Sequence, residues 1–473
     1  MKRRSAPETE RREVLRVGVV SLGCPKNLVD TEVMLGHLDR AGCVFVTVPA
    51  EADVLLVNTC AFIDTAREES VRTLLEAADL KKSGRVRRIV AAGCLVQRHR
   101  EELRESLPEV DAFVGLDELE RVVEHAGAAP AGSPALRVLP ASPPPPARGA
   151  AAGPQRSTYL YDDRTPRLRA TLPWTAFVKI AEGCDHTCSF CAIPSFRGGF
   201  RSRRLGSILR EAQDLAAAGV REINLIAQDS SHFGRDLGLE EGLSQRLAGL
   251  DEIEALRWIR LHYLYPNTVT ERLVDTLARL PRVVKYVDLP LQHAHPETLR
   301  RMRRGGSGET HLALLGRFRR AMPDVALRTT FLTGFPGETE REFETLLEFV
   351  RAARFDHVGV FTYSHEQDTG AFAMDDDVPA EVKEERRARL LTAQQSIALE
   401  RNRRWVGRTV EVLVEGAHPE TEHLLVARMS TQAPEVDGQV LVNDGFARPG
   451  EFVRAEITGI AGYDLVGRVL RAS

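Results

Sequence analysis

The sequence lacks the features that would direct the chain to a membrane or a secretory route. No uninterrupted apolar stretch is long enough to span a bilayer. The N-terminal stretch MKRRSAPETERREV carries positive charges without the apolar run of a secretory signal. The formal net charge is only −3, so no overall charge attracts the chain to nucleic acid or to a membrane surface. We therefore expect a cytoplasmic protein with no membrane partner and with reduced thiols.

Cysteine is scarce, and its scarcity makes each thiol informative. The chain has 473 residues, of which 43% are hydrophobic, 28% are charged and seven are cysteines. That length exceeds one ordinary hydrophobic core, so several domains are expected. Thiols in a reducing compartment indicate metal binding or catalysis more than disulfides.

The pattern of apolar segments divides the chain into four parts. Residues 14–128 alternate strand-like and helix-like stretches, which predicts a parallel α/β sheet. Residues 129–169 are rich in Pro, Ala and Gly and lack periodicity, as a linker does. Residues 170–402 contain six strand-helix units, fewer than the eight of a closed barrel, so we expect an open, partial (β/α)6 barrel. Residues 403–471 consist of short strands with Gly turns, which predicts a small all-β barrel.

The stretch EGCDHTCSFC at 182–191 holds Cys184, Cys188 and Cys191 in a C-x3-C-x2-C arrangement. A structural zinc site needs four ligands, and His186 is poorly spaced to be the fourth. An iron–sulfur cubane has four irons, so three cysteines would leave one iron open to a substrate or cofactor. The loop follows the first barrel strand and should lie at the mouth formed by the C-terminal strand ends.

Three further cysteines, Cys24, Cys60 and Cys94, each end an apolar strand in the first part of the chain. The C-terminal ends of parallel strands lie along one edge of a sheet, so the three thiols can converge there. This arrangement predicts a second three-cysteine cluster. Cys43 instead opens an apolar strand and is interpreted as a core thiol.

The C-x3-C-x2-C motif, with Phe190 before its last cysteine, resembles the radical S-adenosylmethionine signature. Two cysteine triads, a partial barrel and a β-barrel tail together resemble the methylthiotransferases. The resemblance implies a flavodoxin-like N-terminal domain, a radical SAM core and a TRAM domain. It also implies two 4Fe-4S clusters with three cysteine ligands each, and S-adenosylmethionine as methyl donor and radical source. A reductant protein and a sulfur donor would complete the conversion of C–H to C–SCH3.

Within that family, SLGCPKNLVDTE at 21–32 resembles the branch that modifies protein. The implied substrate is the β-carbon of one aspartate in small-subunit ribosomal protein twelve, free or within the assembled subunit. The same chemistry on an adenosine of transfer RNA is the alternative. A third hypothesis is an iron–sulfur electron-transfer protein with a β-barrel interaction module. Two triads that are each one ligand short argue against it.

The charge of the tail bears on the choice of substrate. From Trp405 to Ser473 there are six cationic and ten anionic side chains. A phosphate-binding domain needs a basic surface, whereas an acidic one suits a basic protein partner. Nucleic-acid contact is therefore expected to be secondary, although a merely solvated surface or a local basic patch remains an open alternative.

The turn TTFLTGFPGETE at 329–340 resembles the family's cofactor-contacting turn. Gly334 and Gly337 would let the backbone approach S-adenosylmethionine, and an ordinary tight turn is the alternative.

Three polar residues complete the predicted cofactor site. Gln228 and Gln292 follow the second and fourth barrel strands, where side chains line the mouth. Arg328 lies in the fifth strand and could meet a carboxylate, with an ordinary ion pair as the alternative. The basic run RRMRRGGSG at 300–308 could attract an acidic loop or ribosomal RNA, or could be a solvated helix end.

Overall fold

The computed structural model of the protein describes residues 14–128 and 156–470. These residues form two compact units. The first comprises the described residues up to Ser157 together with Thr165–Arg169, and the second comprises Thr158–Arg164 and the residues from Ala170 onward. Most of the predicted linker, 129–155, lies outside the described residues. Its remainder, 156–169, contains no helix or strand.

The first unit is a five-stranded parallel sheet with helices in the connections, and its strand order β2-β1-β3-β4-β5 is the flavodoxin-like one. Its elements are β1 (Arg16–Ser21), α1 (Pro25–Arg40), β2 (Val44–Val46), β3 (Val54–Thr59), α2 (Asp64–Lys82), β4 (Arg88–Gly93), α3 (Cys94–Ser106), β5 (Ala112–Val114) and α4 (Val122–Ala126). The central strand β3, VLLVNT, is buried over its whole length, as expected for a parallel strand covered on both faces. The predicted flavodoxin-like fold is confirmed. The three-residue β5 was not predicted, because so short a strand shows no periodicity.

The core of the second unit contains six parallel strands in an open arc. Its elements are β6 (Thr175–Lys179), β7 (Ala181–Glu182), α5 (Ile193–Arg197), β8 (Arg201–Ser202), α6 (Leu205–Ala217), β9 (Glu222–Ile226), α7 (Gly242–Asp251), β10 (Trp258–Leu261), α8 (Glu271–Arg279), β11 (Tyr286–Asp288), α9 (Pro296–Arg301), α10 (Gly308–Ala321), β12 (Ala326–Thr333), α11 (Glu340–Ala353), β13 (His357–Thr362) and α12 (Ala380–Arg403). The strands pair as β10-β9-β6 and β11-β12-β13, and a parallel bridge from Ile259 to Val283 links the two sheets. The predicted six-unit partial barrel is confirmed.

The C-terminal tail is a closed five-stranded barrel of order β14-β15-β16-β18-β17. Its strands are β14 (Thr409–His418), β15 (Thr421–Met429), β16 (Val440–Asp444), β17 (Phe452–Ala461) and β18 (Asp464–Val469). It packs against Trp258, Tyr286 and Ala326, each the first residue of a core strand. The tail barrel therefore covers the N-terminal ends of the core strands and leaves their C-terminal ends, the mouth, to other segments.

None of the helices formed by the described residues combines the length and the apolar composition that crossing a bilayer requires.

Candidate functional site

The first candidate site lies at the C-terminal edge of the sheet in the first unit. Cys24 follows β1, Cys60 follows β3 directly, and Cys94 follows β4 as the first residue of α3. These strands are neighbours in the sheet, so their ends are adjacent. A Cβ atom added at Gly23 would lie 2.9 Å from Cys60 Sγ, so the Cys60 sulfur lies against the chain beside Cys24. The structure thus brings together the three strand-end loops, as the sequence predicted. All seven cysteines are free thiols.

One amide, that of Asn27 in the first turn of α1, connects these three loops. Asn27 Nδ2 donates hydrogen bonds to the carbonyl oxygens of Leu22, at 2.7 Å, and Thr59, at 3.2 Å. Its Oδ1 lies 3.8 Å from Cys94 Sγ, within reach of a thiol donor. Asn27 is fully buried, so these polar contacts are shielded from water. Sequence reasoning missed this residue, and its position three residues after Cys24 was the only signal for it.

The loop at Cys94 has a further requirement that only glycine meets. Gly93 has a φ of +95°, in the left-handed region. A Cβ atom there would lie 2.1 Å from Asn58 Oδ1, which is closer than any side chain tolerates. Asn58 in turn donates to the Asn27 carbonyl oxygen at 2.8 Å. The packing of this turn against β3 therefore fixes the backbone position of Cys94.

The second candidate site is the loop between β7 and α5, at the mouth of the partial barrel. It holds Cys184, Cys188 and Cys191, all half-buried. The Cys191 amide donates to the Cys188 carbonyl oxygen at 3.2 Å, and the Cys184 amide donates to Gly198 at 3.1 Å. Burial raises the pKa of Cys184 to about 12 and the pKa of Cys191 to about 12. Thiolates in such a place need strong positive charge, which a bound metal centre supplies.

The donor set at this loop fits an iron–sulfur cluster better than one metal ion. Across 14–128 and 156–470, no three or more His, Cys, Asp or Glu side chains converge on a position suited to a single ion. A cubane takes one thiolate on each of three irons, so its ligands stand further apart than those around one zinc ion. One ring nitrogen of His186, Nε2, lies 2.7 Å from Asp229 Oδ2. Among the described residues, no converging set of four ligands supports the zinc alternative.

Side chains and backbone from later segments hold the cysteine loop in place. The His186 ring stacks on Tyr265, with ring centroids 3.8 Å apart and planes 13° apart. Ser189, inside the motif, donates from its amide to the Met302 carbonyl oxygen at 3.0 Å and from its hydroxyl to that of Arg301 at 2.8 Å. Met302 and Arg301 belong to the basic run 300–308, which is thus part of the support of the loop.

Gln228 lies at the mouth beside the cysteine loop. Its Nε2 donates to Glu182 Oε1 at 2.6 Å, and its Oε1 is buried without a hydrogen-bond partner among the described residues. Glu182 also binds Lys179 at 2.7 Å and Arg197 at 2.9 Å. Burial alone would raise the pKa of Glu182, but Arg197 and Lys179 hold it well below its ordinary value. A contact of Gln228 with S-adenosylmethionine stays a prediction.

Gln292 follows β11 and adopts a φ of +70°, unusual for a residue other than glycine. Its amide donates to Thr330 and its carbonyl oxygen accepts from Leu332, both at 2.8 Å, so β12 enforces this conformation. The side chain is half-buried at the mouth. Strained backbone held by its neighbours is typical of functional positions.

The turn with Gly334 and Gly337 packs closely against the chain itself. Both glycines have a φ of +73°. A Cβ atom at Gly334 would lie 2.2 Å from Lys383 Cγ, and the Gly337 amide donates to Asp377 at 2.7 Å. The Lys383 contact explains Gly334 by packing, and the positive φ explains Gly337. Their approach to a cofactor stays a prediction.

Arg328 is the predicted site residue that the structure does not bring to the mouth. It lies near the start of β12, at the end covered by the tail barrel. Its guanidinium pairs with Asp288 at 3.2 Å and with Asp437 of the tail at 3.4 Å. Burial alone would raise the pKa of Asp288, but Arg328 and His262 lower it to about 2. The ordinary ion pair named as the alternative is therefore what the structure contains.

Comparison with known families defines the class of the protein. Residues 178–350 match the Radical SAM superfamily, residues 406–470 match the TRAM domain, and residues 16–115 match the uncharacterized protein family UPF0004. The chain is thus a radical SAM protein with a TRAM domain.

Curated relatives place it more narrowly. It is 49% identical to the ribosomal protein uS12 methylthiotransferase RimO of Solibacter usitatus, over 96% of this chain and 95% of that protein. It is 46% identical to the RimO of Koribacter versatilis, covering 98% and 97%, and 46% identical to that of Geobacter sulfurreducens, covering 96% and 98%. The chain belongs to the RimO family of ribosomal protein uS12 methylthiotransferases.

Among solved structures, the fold is similar to TsrM from Kitasatospora setae, a radical S-adenosylmethionine methyltransferase. The TM-score is 0.50 at 18% identity, and the match covers 74% of this chain and 73% of that one. At that identity the likeness concerns the fold alone.

Proposed function

We propose that this protein attaches a methylthio group to the β-carbon of one aspartate in ribosomal protein uS12. The observation that carries the proposal is the identity of 44–49% to RimO proteins over about 96% of the chain. The two cysteine triads, each one ligand short of a cubane, supply the chemistry that such a reaction needs. An electron-transfer protein would not need open irons.

Each triad has its own part in the proposal. Cys24, Cys60 and Cys94 would hold one cluster at the edge of the first unit, and the C-x3-C-x2-C loop would hold the other. When bound, two 4Fe-4S clusters and S-adenosylmethionine would supply methyl transfer to sulfur and a carbon radical on the substrate. The chain supplies thiolate ligands, a fixed loop and a mouth lined by Gln228 and Gln292. Gly334 and Gly337 would place backbone beside the cofactor, whereas Arg328 is not carried into this set.

The surface of the tail supports a basic protein as partner. Several of its acidic residues are already used in ion pairs, namely Glu411, Glu415, Asp437 and Glu456. Glu420, Glu422, Glu435 and Asp444 form no ion pair with the described residues and are exposed or half-exposed at loop and strand ends. On the cationic side, Arg428 is buried and Arg468 is paired, while Arg448 and Arg454 are exposed, fewer than the four free acidic residues. The outward charge of the tail is therefore acidic, which favours a cationic ribosomal protein over a phosphate backbone.

The proposed reaction also needs a reducing compartment, an electron donor and a sulfur donor. Thiolate ligands require reduced cysteines, so we place the protein in the cytoplasm. A reductant protein must deliver single electrons, and a sulfur donor must supply the transferred sulfur atom. We propose domain boundaries of 14–128, 170–402 and 403–471, with 129–169 as the linker.

The test is an anaerobic reaction of the reconstituted protein with reductant, sulfide and S-adenosylmethionine. Protein uS12, free and in small subunits, and unmodified transfer RNA are offered together, and both are followed by mass spectrometry. We expect a methylthio mass gain on one uS12 aspartate and none on transfer RNA. Cys60→Ser and Cys188→Ser should each abolish the gain. Cys43→Ser, which changes the buried thiol outside both triads, is the matched control and should retain it.

A methylthio gain on an adenosine instead would overturn the substrate and keep the chemistry. No gain on either substrate, despite two loaded clusters, would overturn the proposed function as a whole.

A further inference from the structure

Arg304, the last arginine of the basic run 300–308, points its guanidinium at the cysteine loop. Its Nη1 lies 3.5 Å from Cys188 Sγ, within the range of an N–H···S hydrogen bond. Its Nη2 donates to the Pro290 carbonyl oxygen at 2.7 Å. Its guanidinium carbon lies 4.5 Å from the centroid of the Tyr265 ring. Three different contacts thus fix the orientation of this one side chain.

Two other arginines of the run, Arg300 and Arg301, are used differently. Arg300 is exposed and pairs with Glu297, one helical turn earlier. Arg301 pairs with Glu342 at 2.8 Å and donates to the Gly337 carbonyl oxygen at 3.0 Å. Among the described hydrogen bonds, only that of Arg304 joins this run to a cysteine sulfur. The run is therefore not merely a solvated helix end.

Tyr265 is a shared platform for Arg304 and for the cysteine loop. The ring of His186, which lies between Cys184 and Cys188 in sequence, stacks on Tyr265. His186 is anchored in turn by Asp229, which is buried and accepts hydrogen bonds from Ser231. The guanidinium of Arg304 and the cysteine loop thus both pack on the Tyr265 ring. This shared contact fixes the distance from Arg304 to the Cys188 sulfur.

A cation that donates to a ligand sulfur changes the electronic properties of the metal centre. The donor withdraws charge from the thiolate and favours the state with more negative charge. Reduction of a cluster adds one electron, from a reductant protein or from a chemical reductant such as dithionite, and takes up no proton at Arg304. A fixed guanidinium at this sulfur should therefore make that reduction more favourable.

We propose that Arg304 is a positioning residue that raises the reduction potential of a cluster on Cys184, Cys188 and Cys191, through its hydrogen bond to Cys188 Sγ. The inference rests on the proposed function only in assuming a cluster at these three cysteines. It goes beyond that function by assigning a role to a residue that binds neither substrate nor metal. Tyr265 acts in the same direction, because it holds the guanidinium in place.

The test isolates one cluster in the full-length protein. Cys24→Ala, Cys60→Ala and Cys94→Ala together leave a single three-cysteine site, and anaerobic redox titration followed by electron paramagnetic resonance gives its midpoint potential. In this background we expect Arg304→Gln to disfavour reduction about tenfold, a shift of about 59 mV to more negative potential. Arg304→Lys, which keeps the charge without the planar fork, should shift it less.

Arg300→Gln is the matched control, because it removes the same charge from the same run without a contact to sulfur. Its potential should stay at that of the parent. Equal shifts for Arg300→Gln and Arg304→Gln, or no shift for Arg304→Gln, would overturn the proposal. Iron and sulfide content are measured for each variant, so a potential is compared only between equally loaded proteins.

If Arg304→Gln does not load a cluster, Tyr265 provides the second route. Tyr265→Phe keeps the ring and should keep the potential, whereas Tyr265→Leu should lower it. Equal potentials for these two variants would contradict the proposed role. Because the potential is measured without uS12, a failed methylthio transfer with the expected shifts would count against the proposed function and leave the role of Arg304 standing.

Discussion

At the residue scale, each cysteine triad is contacted by a polar side chain outside its set of thiols, Asn27 at Cys94 and Arg304 at Cys188. The triads were visible because three thiols end three apolar strands and three more share one short loop. Asn27 and Arg304 were not, because their partners, Thr59 and Cys188, are distant in sequence and common residue types carry no chemical signature. The structure does not place Arg328 at the mouth, for a related reason. Its strand was predicted correctly, but the sequence did not show that its carboxylate partners lie at the opposite end of the barrel from the mouth.

Asn27 leads to a prediction at this scale. Asn27→Ala removes two buried donations that join the loops of Cys24 and Cys60, and it removes the contact with Cys94. We expect the free energy of unfolding of the apoprotein to fall by about 1–3 kcal/mol, the cost of unsatisfied buried groups. Iron bound to this triad should also fall, measured in full-length protein whose second triad is changed to alanine.

The control for this prediction is Thr73→Ala in the same unit. Thr73 is half-exposed, and among the described residues its hydroxyl donates to the carbonyl oxygen one turn earlier in α2. It should leave iron content unchanged. An Asn27→Ala protein that binds as much iron as the parent would show that the amide does not position the triad.

At the scale of secondary structure elements, the core strands were predictable from apolar runs. The contacts that hold the mouth instead involve the N-terminal end of a helix. Each of the six predicted core strands is present, because buried parallel strands read as continuous apolar segments. The glycine turn after β12 is held from its C-terminal side by a capping box at the start of α11. Thr339 Oγ1 accepts from the Glu342 amide at 3.3 Å, and Glu342 accepts from the Thr339 amide at 2.8 Å. Glu342 also pairs with Arg301, so this cap joins two elements.

Thr339→Ala should therefore affect both stability and cofactor binding. Loss of an N-cap costs about 1 kcal/mol of unfolding free energy. Because the cap directly follows the turn of Gly334 and Gly337, we also expect weaker binding of S-adenosylmethionine, measured by equilibrium dialysis on reconstituted protein. Ser307→Ala removes a comparable capping box from α10, which does not follow that turn. It should cost similar stability and leave binding unchanged, whereas equal binding losses for the two variants would refute a specific role for the turn.

At the scale of the whole second unit, a buried polar network joins the partial barrel to the tail barrel. Glu222, the first residue of β9, pairs with Arg428 of the tail at 2.6 Å and with Arg260 at 3.2 Å. Tyr286 donates to Asp437 of the tail at 2.7 Å. Arg428 and Asp437 were both included in the net charge of the tail counted from the sequence. The structure uses both in packing, which no pattern within one domain could have shown.

Arg428→Met tests how much this network stabilises the unit. It leaves Glu222 buried with one cation fewer, and breaking a buried pair in this way costs about 3–5 kcal/mol. Arg468→Met removes an exposed pair with Glu456 in the same tail and should cost about 0–1 kcal/mol. Denaturant unfolding at neutral pH measures both, and similar losses for the two variants would mean that the network adds little.

The same network predicts how the stability of the unit depends on pH. Burial alone would raise the pKa of Glu222, but Arg428 and Arg260 lower it to about 2, below its ordinary value of 4.5. A carboxyl group with a lowered pKa in the folded state stabilises the fold fully above its unfolded pKa, and this stabilisation is lost as the pH falls through the folded pKa. The unfolding free energy of the parent apoprotein should therefore decline between about pH 4.5 and pH 2 more steeply than that of Glu222→Gln, which has no such proton to bind. Parallel declines in the two proteins would show that the Glu222 carboxylate is not held ionised by Arg428 and Arg260.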